Sequence, residues 1–132
     1  MQLAPALHCP GQTRVLDAKT QLLGQYMDLL ALQQRVTATN IANADTPGYR
    51  TRRIDFRWEF QQAIAGRDNK PATALWIPVH GGLEVKNDGN DVSLDRELRL
   101  LAETGIRYSL AAQFARGHIR SIRSAIQEGR GA

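Results

Sequence analysis

Two long stretches of the chain repeat apolar residues at helical spacing, and a polar, turn-rich stretch separates them. In the first, Leu16, Leu23, Met27, Leu30, Thr37 and Ile41 mark one seam, and Leu22, Tyr26, Leu29, Leu32, Val36 and Asn43 mark its neighbour. Two adjacent stripes describe a helix that touches more than one partner. Thr13 or Asp17 is placed to cap it. Gly24 inside it costs about 1 kcal/mol relative to alanine. In the last third, Leu94, Leu98, Leu101, Gly105, Tyr108, Ala112, Ala115, Ile119, Ile122 and Ile126 follow at alternating spacings of four and three. That is a heptad seam, sustained long enough for coiled-coil packing. Ser93 is the cap candidate, with Asp95 and Glu97 in the first turn, where the helix dipole favours acids. This helix reaches about Gln127, roughly 50 Å at 1.5 Å per residue, and the first, from about Thr13 to Asn43, spans roughly 45 Å.

The middle carries shorter signals. Phe56, Phe60 and Ile64 are four apart, which puts them on one side of a short helix capped by Asp55 and ended by Gly66. Ile54, Phe56, Trp58 and Phe60 also alternate as a strand would, but Gln61-Gln62-Ala63-Ile64-Ala65 continues the helix. From Gly66 to Asp91 glycine, proline, asparagine and aspartate predominate over periodicity, which predicts loop. Trp76–Val79 and Leu83–Val85 are the candidate extended pieces within it. Asn87-Asp88-Gly89-Asn90-Asp91 has the composition of a calcium loop but lacks its twelfth-position glutamate, where Leu98 stands, so it reads as a turn.

The expected fold is mainly α: two long terminal helices packed as an antiparallel coiled coil or bundle, with an irregular, loop-rich middle and one short helix. The chain divides into an irregular leader (1–12), an N-terminal core helix (13–45), a region of turn, short helix and extended loop (46–92), a C-terminal core helix (93–127) and a tail (128–132).

The first helix must stop at Asn40-Ile41-Ala42-Asn43-Ala44-Asp45-Thr46-Pro47-Gly48-Tyr49. Pro47 pushes Thr46 out of the helical region, so the stop falls near Ala44 or Asp45. Proline then glycine is the signature of a type II turn. Asn40 and Asn43 lie three apart on one side of the last helical turn. Asparagine is a mediocre helix former with four hydrogen-bonding positions on its amide. The pair either holds neighbouring backbone or frays into solvent.

Composition narrows the function. Net charge is +4 and the pI about 9.7, which suits a nucleic acid, an anionic surface or simply a basic exterior. Cys9 is the one cysteine, so no internal disulfide forms. His8, His80 and His118 lie in three separate regions, and no GxSxG, phosphate loop or HExxH is present. No catalytic, cofactor-binding or metal site follows, and no small-molecule substrate is expected. Arg107, Arg116, Arg120, Arg123 and Arg130 make the C-terminal end positive, but neither a paired recognition helix nor aromatic-basic interleaving accompanies them, so no nucleic acid is expected. Met1–His8 lacks the basic and apolar regions of a cleaved secretory signal.

The run Arg35–Tyr49, with Asn40-Ile41-Ala42-Asn43-Ala44-Asp45-Thr46-Pro47-Gly48-Tyr49 at its heart, resembles the N-terminal signature of flagellar rod and hook proteins. Its continuation Arg50–Phe56, the segment Gly89–Glu97, the long last helix with Tyr108 and the ending Ser124-Ala125-Ile126 resemble the short proximal rod subunits in particular. The resemblance covers about Asp17 to Ile126. Two features depart from it: the stretch through Gly11 is unlike the family's short leader, and Ser93 stands where an aspartate is frequent. It implies a structural subunit of the bacterial flagellar basal body, made in the cytoplasm, exported through the flagellar type III apparatus and polymerised into the periplasmic rod through its terminal helices. Implied partners are copies of itself, other rod proteins, the membrane-ring adaptor and the export gate. The expected assembly residues are Asn40, Ile41, Asn43, Thr46, Pro47, Gly48, Tyr49, Leu98, Leu101, Tyr108, Ile119, Ile122 and Ile126. A different short axial subunit and a basic, nucleic-acid-binding helical protein are the alternative readings.

Overall fold

A computed structural model describes residues 11–66, 77–78 and 84–131, and the side chains of 18–66 and 84–131. Residues 1–10 of the leader with His8 and Cys9, most of the expected loop over 67–83 (Trp76, Val79, His80 and Leu83 included) and the side chain of the seam position Leu16 therefore lie outside the described residues or side chains, whereas Gly11 and Gln12 of the expected irregular leader are helical.

Among the described residues three helices and two very short strands follow in the order α1 (Gly11–Ala42), β1 (Arg52–Arg53), α2 (Phe56–Ile64), β2 (Ile77–Pro78) and α3 (Leu94–Arg130). The long helices α1 and α3 lie against each other, and α2 packs on α1. Arg52 faces Pro78 and Arg53 faces Ile77 in the antiparallel β1–β2 pair. Arg52 and Arg53, just after the turn, thus lie in a short strand.

The buried side of α1 is Leu29, Leu30, Val36, Thr37 and Asn40. Leu30 and Thr37 come from one stripe, Leu29 and Val36 from the other, and Asn40 from neither, so a single buried face runs between the stripes. On α3 the fully buried residues are Glu97, Thr104 and Ala111, seven apart, with Leu101, Tyr108, Ala115 and Ile122 half-buried beside them. The expected seam is therefore only half right. Its column Leu101, Tyr108, Ala115, Ile122 turns inward, but Leu98, Ile119 and Ile126 stay between 49% and 59% exposed. Their places on the inward face go to Glu97, Thr104 and Ala111. The reason is chemical: Glu97 has a hydrogen-bond partner on α1, and Thr104 Oγ1 donates to its own helix at Leu100 O, 2.6 Å. Satisfied polar groups can be buried without the desolvation penalty of unpaired ones.

The ends of the helices have local causes. Asp55 Oδ1 accepts from Trp58 N at 3.0 Å and caps α2, and Gly66 takes a positive φ of 64° just past its end. Phe56 and Phe60 meet Tyr26 of α1 edge-on, at ring separations of 5.7 and 5.3 Å, whereas Ile64 stays exposed. The carbonyl of Ser93 accepts from Glu97 N, 3.0 Å, yet its hydroxyl makes no capping bond. The acids Asp95 and Glu97 are left to offset the dipole of α3. That helix runs three residues beyond the expected Gln127, closing where Gly131 N donates to Glu128 O, 3.2 Å.

Candidate functional site

The end of α1, the following turn and the segment entering α3 converge on a polar clamp. Tyr49 N donates to Thr46 O at 3.2 Å, with Pro47 second and Gly48 third at a φ of 71°. This is the type II turn that the sequence dictates. A second turn faces it. Gly89 has a φ of 83°, Gly89 N donates to Lys86 O at 2.9 Å, and Gly48 N donates to Asp88 O at 2.9 Å. A β-carbon added at Gly89 would stand 3.6 Å from Gly48 Cα, so the two glycines let the turns meet backbone to backbone.

Asn40 is fully buried and uses all four positions of its amide. Its Nδ2 donates to Arg52 O at 2.8 Å and to Glu97 Oε2 at 3.0 Å. Its Oδ1 accepts from Arg52 N and from Tyr49 OH, both at 3.1 Å. One side chain on α1 therefore holds the chain leaving the turn, the turn's tyrosine and the first turn of α3. Asn43 acts locally instead: its Nδ2 donates to Thr39 O, 2.8 Å, and its Oδ1 accepts from Thr46 Oγ1, 3.2 Å.

Asn90 and Asp91 answer from the other side, and sequence reasoning missed both. Asn90, also fully buried, donates through Nδ2 to Asn43 O at 3.0 Å and Thr46 O at 2.8 Å. Both carbonyls also accept a backbone amide of the turn, Thr46 N for Asn43 O and Tyr49 N for Thr46 O, so Asn90 braces the turn from outside. Lys86 Nζ donates to a third, Ala44 O, at 2.9 Å. Asp91 Oδ1 accepts from Thr51 N at 2.6 Å and Thr51 Oγ1 at 2.9 Å. The local signal was present: Asn90 N donates to Asp88 Oδ1, and Val92 N to Asn90 Oδ1, the two-residue pattern of Asx turns. The distant partners left no trace in spacing.

Charge follows from this geometry. Burial pushes the Asp91 carboxyl up, but the Thr51 amide and hydroxyl and the Arg50 guanidinium, 3.5 Å away, outweigh it and hold Asp91 below its ordinary value. Burial pushes the Tyr49 phenol up; nearby Arg52, 5.9 Å from its ring centroid, opposes this, while Glu97 and Asp91 add to it. The polar atoms of the clamp bond one another. Among the described residues no group of three or more His, Cys, Asp or Glu is placed to hold a metal, and no helix is long and apolar enough to cross a membrane. Chemically, the arrangement is a clamp.

Of the residues expected to serve assembly, Asn40 is buried in this clamp, with Ile41, Asn43 and Tyr49 half-buried and Thr46, Pro47 and Gly48 on the exposed turn. Leu101, Tyr108 and Ile122 line the inner side of α3, and Leu98, Ile119 and Ile126 its open side. The clamp brings the first group together, and the second is strung along α3.

A family profile described as "Flagella basal body rod protein" matches residues 27–50, which end on the type II turn. The flagellar basal body rod protein FlgB of Escherichia coli K12 is 32% identical over 133 aligned positions, covering 86% of this chain and 96% of that protein. FlgB of Salmonella typhimurium is 30% identical with the same coverage, and FlgB of Borrelia hermsii 28% identical, covering 86% of this chain and 98% of its own length.

Proposed function

This chain belongs to the FlgB family of flagellar basal body rod proteins, and from that premise we propose how it builds the rod. It is a structural subunit of the basal body and not an enzyme. In the reading proposed, it is made in the cytoplasm, exported through the flagellar type III apparatus and polymerised in the periplasm through α1 and α3. It packs against its own copies and other rod proteins, and at the base against the membrane-ring adaptor and the export gate.

The observation that carries this reading is the imbalance of α3. One face lies on α1, yet Leu94, Leu98, Ile106, Leu110, Phe114, Ile119 and Ile126 remain 48% exposed or more. So much unpartnered apolar surface on one helix marks an interaction surface. An antiparallel, coiled-coil-like pairing of α1 and α3 is part of the proposal. It is supported by the opposite order of two contacts: Asn40 meets Glu97, and Gln34, earlier in α1, lies 4.0 Å from a β-carbon built on Gly105, later in α3. The clamp sets where the paired helices end and where the chain turns outward.

Deletion of the chromosomal gene, followed by imaging of basal bodies, tests the assignment. The expected outcome is a membrane ring without a rod, and non-motile cells. Complete basal bodies with rotating filaments would refute it.

A further inference from the structure

Beside the column Leu101, Tyr108, Ala115, Ile122 that faces α1 runs the column Leu98, Gly105, Ala112, Ile119, Ile126, half-buried at Gly105 and Ala112 and open at Leu98, Ile119 and Ile126. Together they form a second heptad seam on α3, shared between the inner face and solvent. In its C-terminal half this seam has a charged border. Arg116, Arg123 and Arg130 stand seven apart, each directly following the heptad position of Ala115 and Ile122, and Arg120 lies between them. All four are exposed, and among the described residues none has an ion-pair partner. From Gly105 to Arg130 the helix holds five arginines and one acid, Glu128, whose Oε1 accepts from Ser124 Oγ at 3.4 Å.

We propose that this half of α3 docks a helix from a different protein of the assembly, one that carries carboxylates at heptad spacing beside an apolar seam. The inference rests on the rod reading and names the chemistry of one neighbour. Residues that flank an apolar heptad seam set partner choice, and an unpaired row of one sign selects the opposite sign. Arginine's planar fork suits carboxylates, and α3 contains no lysine.

A second copy does not meet that requirement. The only acids of α1 are Asp17 and Asp28, eleven residues apart and mixed with Arg14, Lys19 and Arg35. On α3, Asp95 pairs with Arg99 and Glu103 with Arg107, and Glu97 is buried against Asn40. Within α2 only Glu59 is acidic. A lipid surface fits less well, because a helix lying in a membrane needs a broad apolar face. Here one side of the seam already faces α1, and Ile119 and Ile126 are the large apolar residues left open beside the arginines.

The test uses the full-length chain and three synthetic helices with one apolar seam, flanked at heptad spacing by glutamate, glutamine or lysine. Fluorescence anisotropy should show the glutamate helix binding tightest, with affinity falling as salt rises. The variant Arg116→Gln/Arg123→Gln/Arg130→Gln should bind it about tenfold more weakly, and the corresponding Arg→Glu variant should prefer the lysine helix. Circular dichroism of each variant confirms that α3 is intact. Equal binding of the three helices, indifference to the substitutions, or preference for a DNA duplex or phosphatidylglycerol vesicles over the glutamate helix would overturn the proposal. The deletion strain separates the two levels. A complete rod without the chain removes the rod reading, whereas a missing rod together with no charge preference removes this inference alone.

Discussion

Asn40 and Asn43 look equivalent in sequence, three residues apart at a helix end, and the structure gives them unequal work. Asn40 is buried and bonds Arg52, Tyr49 and Glu97, while Asn43 bonds its own helix and Thr46. Replacing Asn40 with leucine leaves the Arg52 amide and carbonyl and the Glu97 carboxylate without this partner. Each group left dry costs about 1–3 kcal/mol. Asn43→Ala removes partly exposed, local bonds and costs about 0.5–1.5 kcal/mol. Urea midpoints of the two variants should therefore differ clearly, and equal shifts would deny Asn40 its central place. Asp91 adds a dependence on pH. Its carboxyl sits below its ordinary value in the fold, so the stability it contributes is fully present above about pH 4 and is lost progressively as pH falls below it. Asp91→Asn should flatten the loss of stability between neutral pH and about pH 3, measured by urea titration at each pH. An unchanged slope would mean that other carboxylates set it.

At the scale of elements, much of the fold was legible and one feature was not. Periodicity found all three helices, and Pro47-Gly48 fixed the turn, because these are local signals. The rotation of α3 was illegible, because Glu97 and Thr104 look like surface residues until their partners are known. A heptad count rewards the apolar residue next door, Leu98 beside Glu97, and so misplaces one of the two columns of the seam. The buried roles of Thr51, Asn90 and Asp91 were hidden for the same reason, since their bonds join residues 40 to 47 positions apart. Two substitutions separate the faces. Ala111→Phe overpacks the α1–α3 contact and should destabilise the folded chain by about 1–3 kcal/mol. Ile119→Ser, on the open side, should leave it within about 0.5 kcal/mol. Thermal melts that rank these two in the reverse order would restore the seam expected from sequence.

For the whole molecule, the division of labour is between a clamp that each subunit completes by itself and surface that it cannot cover alone. Asn40, Asn90 and Asp91 close the end of the helix pair with hydrogen bonds to the chain's own groups. The apolar residues along the open sides of α3 stay exposed in the single chain, and neighbours cover them in the proposed rod. A subunit of a rod needs both: fixed internal geometry makes successive copies equivalent, and contacts between unlike patches allow growth without closure. The central claim is that this chain is built into the basal-body rod through α1 and α3. The most direct measurement is electron cryomicroscopy of purified basal bodies at a resolution that traces side chains. Density for this chain is expected in the rod, with Leu110, Phe114 and Ile119 covered by neighbouring subunits and Asn40 still bonded to Arg52. A fully traced rod from which this chain is missing, or in which those three residues face solvent, would contradict it.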